Sequence, residues 1–395
     1  MGGRPMRIAM VAGEASGDLL ASHLIGALKQ RVPDAQFVGI GGPKMVAQGF
    51  DAWWPLEKLA VRGYAEVLRH YREIVGIRSS LQKRLLANPP DVFIGVDAPD
   101  FNLALETRLK KRGVPTVHYV SPSIWAWRAK RIHKIGAAVS RMLCLFPFEP
   151  ELYEARGIPV TYVGHPLADI IPPDINRKAY REKLGLPLDR PIFAFLPGSR
   201  QSELQFMAET FVETARQILV RLPQALFLVP LATRETRLQF ETAIYNRQAG
   251  QLPFKLLFGH AHDAMAAADT VLVASGTATL EAALIKRPMV IAYRMAPASW
   301  RLMKRMKYQP WVGLPNILSR CFVVPEFLQE DATPENLAQA LVNEHQDKVV
   351  RAKVEGQFAQ LHQQLRQNTA EKAAQAVLSL VPGWRTGAPR GTTVV

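Results

Sequence analysis

The stretch Val271-Leu-Val-Ala-Ser-Gly-Thr-Ala-Thr-Leu-Glu-Ala-Ala-Leu284 constrains this chain more than any other. Its apolar run stops abruptly at Ser275-Gly276-Thr277 and then gives way to helix formers, which reads as a buried strand, a small-residue turn and a helix N-terminus. Such a terminus favours a phosphate. Ser275, Thr277 and the unpaired backbone N–H groups around Gly276 are donors, and the helix dipole adds positive potential at the same point. Glu281 lies one to two turns further in, where its carboxylate suits a neutral hydroxyl such as a ribose. An ordinary strand–turn–helix with no ligand is the competing reading.

The same unit recurs along the chain. Arg7–Ala12 reads as a strand, Gly13 to Asp18 as a tight turn and Asp18–Arg31 as a helix. This opening lacks the full GxGxxG spacing. Its acidic residues, Glu14 and Asp18, would repel a pyrophosphate, so Glu14, Ser16 and Asp18 point to a sugar or hydroxyl ligand. Gln36–Ile40 is a second strand, and Gly41-Gly42 after it lets another group approach the backbone closely. Trp53–Leu86 mixes apolar residues with arginines, the pattern of a core helix or of a helix resting on lipid or an acyl chain. Asp91–Val96 is a strand ending at Asp97. A carboxylate at the carboxyl end of a parallel strand faces the ligand crevice of an open α/β sheet, making Asp97 the candidate general base. Asp100 is expected as the N-cap of a helix starting near Phe101. After the strand Val114–Val120 come Trp125 and Trp127, aromatic faces suited to packing or to a sugar ring. Arg141–Phe146 is one more strand.

Prolines near 165–175 mark a boundary, after which the alternation restarts. The strand Pro191–Leu196 leads into Pro197-Gly-Ser-Arg200, where Ser199 donates a hydrogen bond and Arg200 offers a planar fork matched to phosphate oxygens. Strands follow at Ala225–Val229, Phe254–Phe258, Thr270–Ala274 and Pro288–Tyr293. Asn316 is a candidate for a ligand amide or hydroxyl. With 395 residues two domains are expected. The boundaries are 1–168 and 169–348, followed by helices over 349–381, which are candidates to pack back across the domains, and a disordered tail over 382–395.

A net charge of +15 calls for an anionic partner, but the basic residues are spread along the chain and no nucleic-acid module is recognisable, so nucleic acid is not expected. The exception is Trp300–Tyr308, a basic amphipathic segment suited to an anionic interface. Cys144 and Cys321 have no metal spacing and are expected in the core. No secretory signal and no apolar run long enough to span a bilayer is visible. Asp97 and Asp100 are three apart and flank a proline, so no metal is expected, and no cofactor either.

Two Rossmann-like halves facing one cleft suit a nucleotide-sugar enzyme. Val11-Ala-Gly-Glu-Ala-Ser-Gly-Asp18, Val96-Asp-Ala-Pro-Asp-Phe-Asn102, His118-Tyr-Val-Ser-Pro-Ser-Ile-Trp-Ala-Trp-Arg128, Leu196-Pro-Gly-Ser-Arg200, Ala274-Ser-Gly-Thr-Ala-Thr-Leu-Glu281 and Leu314-Pro-Asn316 together resemble the lipid-A-disaccharide synthase family from about residue 7 to 380. The resemblance implies an α/β chain of GT-B architecture, an inverting glycosyltransferase. Its substrates would be UDP-2,3-diacylglucosamine and 2,3-diacylglucosamine 1-phosphate (lipid X), its products the β-1,6-linked disaccharide and UDP. It further implies Asp97 as the essential acid–base residue, Arg200 as the phosphate-side arginine, Asn316 on the nucleotide side, and a cytoplasmic enzyme peripheral on the inner membrane's anionic face. A nucleotide-sugar epimerase and a transferase acting on a polyprenyl-linked sugar are the enzyme alternatives.

Overall fold

The computed structural model describes residues 4–59, 64–126, 129–297, 299–301 and 310–382. The chain divides into two compact units, one made of the residues up to Asp169 together with those from Leu365 onward, the other of Ile170–Gln364.

The first unit is built on seven parallel strands, β1 (Arg7–Ala12), β2 (Gln36–Gly41), β3 (Phe50–Pro55), β4 (Val92–Val96), β5 (Thr116–Tyr119), β6 (Arg141–Cys144) and β7 (Val160–Tyr162), in the order β3-β2-β1-β4-β5-β6-β7. The second has six parallel strands, β8 (Ile192–Leu196), β9 (Leu226–Leu231), β10 (Phe254–Phe258), β11 (Thr270–Ala274), β12 (Met289–Tyr293) and β13 (Glu326–Leu328), in the order β10-β9-β8-β11-β12-β13. Every residue of β4, β8 and β11 is buried. Helices cover both faces, which is why these strands read as continuous apolar runs rather than alternating ones. On β1 the period of two still sorts side chains between the layers. Ile8, Met10 and Ala12 pack under the helices Ala15–Arg31 and Thr369–Leu378, while Ala9 and Val11 face Ile77, Phe101 and Leu105 on the other side. Ile8, Met10 and Val11 each contribute roughly 1.5–3 kcal/mol when fully buried.

The segment expected as separate helices over 349–381 is divided between the units. The helix Lys348–Leu365 finishes the second, and Thr369–Leu378 belongs to the first. There Asp169 accepts the N–H groups of Asn368 (2.9 Å) and Thr369 (2.7 Å), and Arg31 pairs with Glu371. Three edge strands, β3, β7 and β13, escaped sequence reasoning. Strand β3 carries Trp53 and Trp54, both half-buried, and Arg84 lies 3.7 Å from the Trp53 ring centroid. Cys144 is buried as expected, but Cys321 is exposed rather than in the core. Among the described residues no helix is long and apolar enough to cross a membrane. Residues 302–308 of the basic segment Trp300–Tyr308 and the tail beyond 382 lie outside the described residues.

Candidate functional site

In the first unit the chain runs from β1 outward through β2 and β3, then returns to place β4 on the other side of β1. Loops leaving β1 and β4 therefore diverge, and the crevice between them at the carboxyl ends of the strands is where open α/β sheets bind ligands. Gly13, after β1, faces Ala98, after β4, so closely that a Cβ on Gly13 would lie 2.9 Å from the Ala98 Cβ.

Asp97 and Ala98 turn this corner with φ of +52° and +43°. Each such residue costs about 1–2 kcal/mol, so the surroundings must over-determine the bend. They do. The Asp97 N–H donates to Tyr119 O at 2.8 Å, the Asn102 side-chain amide donates to Asp97 O at 2.8 Å, and the N–H groups of Phe101 and Asn102 both donate to Ala98 O at 3.0 Å. The Asp97 carboxylate itself is half-buried and has no hydrogen bond or ion pair among the described residues, which leaves it open to accept a proton from a ligand.

Asp100 is not the expected N-cap. The helix begins at Pro99 with Ala98 capping it, because the double left-handed bend starts the helix two residues early. The Asp100 carboxylate is 83% exposed and paired with Arg131, while Arg78 donates to its carbonyl at 3.3 Å.

Glu14 and Ser16 are exposed at the carboxyl end of β1. Asp18 corrects the sequence reading. It is only 2% exposed, and its two carboxylate oxygens accept the backbone N–H groups of Gly42, Lys44 and Met45, all at 3.0 Å. The close approach expected at Gly42 is thus made by Asp18 itself, whose carboxyl carbon would meet a Gly42 Cβ at 2.6 Å. Asp18 joins the first helix to the turn after β2 and is not available to a sugar.

Trp125, past the end of β5, is half-buried. Its indole N–H donates to Glu149 Oε1 at 3.2 Å and its ring meets Phe148 edge to face. Burial pushes the Glu149 carboxyl up to about 7 against the stabilising hydrogen bonds from Phe146 N–H, Ser121 and Trp125. Trp127 lies outside the described residues.

The second unit repeats the arrangement. β8 and β11 are neighbours whose chains continue to opposite sides, and Ser199-Arg200 and Ser275-Gly276-Thr277 follow those two strands. Gly198 has φ +128°, and a Cβ there would meet the Glu203 carboxylate at 2.6 Å. Glu203 Oε2 accepts the N–H groups of Ser199 (2.8 Å) and Arg200 (3.2 Å), and its Oε1 accepts Arg200 Nη1 at 3.0 Å. The Arg200 side chain remains 62% exposed. Gly276 starts the next helix at φ +141° with Thr277 exposed beside it, so the first N–H groups of the helix Thr277–Leu284 are presented at the surface. Ser275 Oγ donates to Val312 O at 3.3 Å. Glu281 Oε1 lies 3.2 Å from His262 Nδ1, and His262 Nε2 is 3.4 Å from the Tyr180 hydroxyl, so the carboxylate is aimed by a side chain from another element.

Asn316 is the second correction. It is fully buried and all four of its hydrogen-bonding positions are taken, by Val324 O and Glu326 Oε1 on the amide nitrogen and by the N–H groups of Val323 and Val324 on the oxygen. Glu326 in turn accepts the N–H groups of Val312 and Gly313. Asn316 braces the loop that meets Ser275 and has nothing left for a ligand.

Asn102, Glu203, His262, Glu326 and Glu149 were missed as site residues. Only Glu203 left a signal, the three-residue spacing from Arg200 across a helix start. His262 and Glu326 reach their partners through the tertiary fold, and Asn102 and Glu149 bond nearby backbone groups at spacings that no helix-start pattern marks. Among the described residues no group of three or more His, Cys, Asp or Glu side chains is arranged to hold a metal ion.

The lipid-A-disaccharide synthetase family model matches residues 8–377. The chain is 70% identical over 377 residues to the lipid-A-disaccharide synthase of Dechloromonas aromatica, covering 95% of this chain and 99% of that one, and 62% identical to that of Azoarcus sp., covering 94% and 95%. Among solved structures, the calicheamicin glycosyltransferase CalG4 shares the fold with a TM-score of 0.61 at 16% identity, covering 96% of this chain and 99% of that one. The UDP-GlcNAc 2-epimerase of Neisseria meningitidis bound to UDP-GlcNAc also scores 0.61, at 12% identity, covering 95% and 99%. These structural neighbours share the GT-B arrangement of two parallel-sheet α/β domains expected from the sequence. With motifs, fold and full-length identity in agreement, the chain belongs to the lipid-A-disaccharide synthase family.

Proposed function

We propose that the protein condenses UDP-2,3-diacylglucosamine with 2,3-diacylglucosamine 1-phosphate to give the β-1,6-linked lipid A disaccharide 1-phosphate and UDP. The observation that carries this reading is chemical complementarity within one family member. A carboxylate with no partner among the described residues, Asp97, sits at one strand switch point, and an exposed guanidinium with an open helix N-terminus sits at the other.

The first unit is the acceptor domain in this reading, with Glu14, Ser16 and Trp125 at its rim, and the second holds the UDP-sugar. Asp97 takes the proton of the acceptor 6-hydroxyl as that oxygen attacks the donor anomeric carbon from the face opposite UDP. The bond to the diphosphate breaks, inverting the centre, and no covalent enzyme intermediate forms. Arg200 and the N–H groups at Thr277 receive the negative charge that develops on the departing diphosphate. Glu281, held by His262, binds the ribose hydroxyls. The acylated substrates and the +15 charge support attachment to the anionic face of the inner membrane from the cytoplasm, with neither nucleic acid nor a cofactor involved.

Incubating purified protein with both sugars tests the reading, with UDP and disaccharide expected in equal amounts. Conversion of the UDP-sugar with no acceptor present would mark an epimerase instead, and transfer only to a polyprenyl-linked sugar would mark the other transferase. Sedimentation with liposomes tests the membrane assignment: binding to anionic vesicles that weakens with salt is expected, and equal binding to neutral vesicles refutes it.

A further inference from the structure

Behind the Asp97 corner lies a buried polar cluster that the proposed reaction does not use. Glu106 and His118 are both fully buried, with Glu106 Oε1 2.7 Å from His118 Nδ1. Asn102 is also fully buried and sits one helical turn before Glu106, so the two project from the same face of the helix Pro99–Lys110. That face lies against Gly95 of β4 and His118 of β5. A Cβ on Gly95 would come 2.1 Å from Glu106 Oε1 and 2.9 Å from the Asn102 Cβ, so the helix can sit here only over a glycine. Asn102 Oδ1, Glu106 Oε2 and His118 Nε2 are buried with no hydrogen-bond partner among the described residues. Burial holds the Glu106 carboxyl above its ordinary range, opposed by the adjacent His118.

Such a cluster is costly, and an apolar face would pack this helix more cheaply. What an apolar face could not supply is the bond from Asn102 Nδ2 to Asp97 O, the one side-chain hydrogen bond on the Asp97–Ala98 bend among the described residues. We infer that Asn102 is a positioning residue for Asp97, and that the Glu106–His118 pair locks the helix so that Asn102 holds the bend in its left-handed conformation. This inference rests on Asp97 being the base. The cluster touches no reacting atom and acts only by fixing where the Asp97 carboxylate stands.

The test uses the full-length enzyme. Asn102→Ala and the nearly isosteric Asn102→Leu both remove the donor, and a carboxylate displaced by the order of 1 Å loses about a hundredfold in rate. The expected result is kcat lower by about ten- to a hundredfold, KM for both sugars changed less than about threefold, and UDP affinity unchanged, since the nucleotide belongs to the other unit. Glu106→Ala is expected to act in the same direction. Glu106→Gln keeps an acceptor for His118 Nδ1–H and restores most of the loss. Wild-type kcat in either folded Asn102 variant overturns the inference, as does a loss that only follows the folded fraction measured by circular dichroism, or a Glu106→Gln enzyme as slow as Glu106→Ala. If wild-type protein makes no disaccharide, or Asp97→Asn is fully active, the proposed function or its base fails, an outcome distinct from failure of the positioning unit.

Discussion

Asp18 separates a binding role from a structural one. Replacing it with alanine removes the acceptor for three backbone N–H groups. Lys44 is exposed and its amide regains water, but Gly42 and Met45 are buried and theirs stay orphaned. At about 1–3 kcal/mol for each buried unpaired donor, the loss comes to roughly 2–6 kcal/mol. Asp18→Asn keeps one oxygen for Gly42 and Met45 and turns an N–H toward Lys44 alone, so it costs less, about 1–2 kcal/mol. Urea unfolding followed by tryptophan emission reports the first unit through Trp53, Trp54 and Trp125 once Trp300 and Trp311 of the second unit are replaced by phenylalanine. With a slope of about 2 kcal/mol per molar urea, Asp18→Ala shifts the midpoint down by roughly 1–3 M. KM for the acceptor stays near wild type in the folded protein. An unchanged midpoint accompanied by a raised acceptor KM would refute this assignment and return Asp18 to the sugar site.

Three other outcomes follow from the same geometry. Arg200→Ala lowers transfer by on the order of a hundred- to a thousandfold with the fold intact; near-normal turnover in steady-state assays rules out its place at the leaving group. Glu281→Gln weakens UDP binding in calorimetry by about 1.5–3 kcal/mol, and unchanged affinity makes the His262–Glu281 pair purely structural. Glu149 has a folded pKa near 7 against an ordinary 4.5, so between those values the unfolded chain gives up its proton first, and stability falls as pH rises through that window. Wild type therefore loses stability relative to Glu149→Gln from pH 5 to pH 8 in urea titrations, and parallel curves for the two proteins contradict the buried assignment.

Much of this architecture was legible because a doubly covered parallel sheet writes itself as apolar runs ending in small-residue turns, as at Ala12-Gly13, Val96-Asp97 and Ala274-Ser275. Short edge strands lack that mark. β7 and β13 have three residues each, all half-buried, and carry no run to detect. Asp97, Arg200 and Thr277 could be placed after strand ends from the sequence because a strand end depends on local order. Asp18 and Asn316 were misread for the opposite reason. A carboxylate or amide beside a glycine turn looks the same in sequence whether it faces a ligand or a neighbouring backbone. Only the packing of the β2 turn onto the first helix, and of the 323–326 segment onto the loop at Val312, decides between them. Asn102 and His262 were invisible as partners because their targets are set by the fold: Asn102 reaches back over a left-handed bend that its own bond helps to hold.

The central claim is that Asp97 is the base of a sugar transfer. Single-turnover transfer from UDP-2,3-diacylglucosamine to lipid X, measured for Asp97→Asn beside Asp100→Asn, tests it most directly. Asp97→Asn is expected to bind UDP as tightly as wild type yet to transfer about a hundred- to ten-thousandfold more slowly. Asp100→Asn, whose carboxylate is exposed on Arg131, stays within a few-fold of wild type. A fast Asp97→Asn enzyme, or a dead Asp100→Asn beside an active Asp97→Asn, would contradict it.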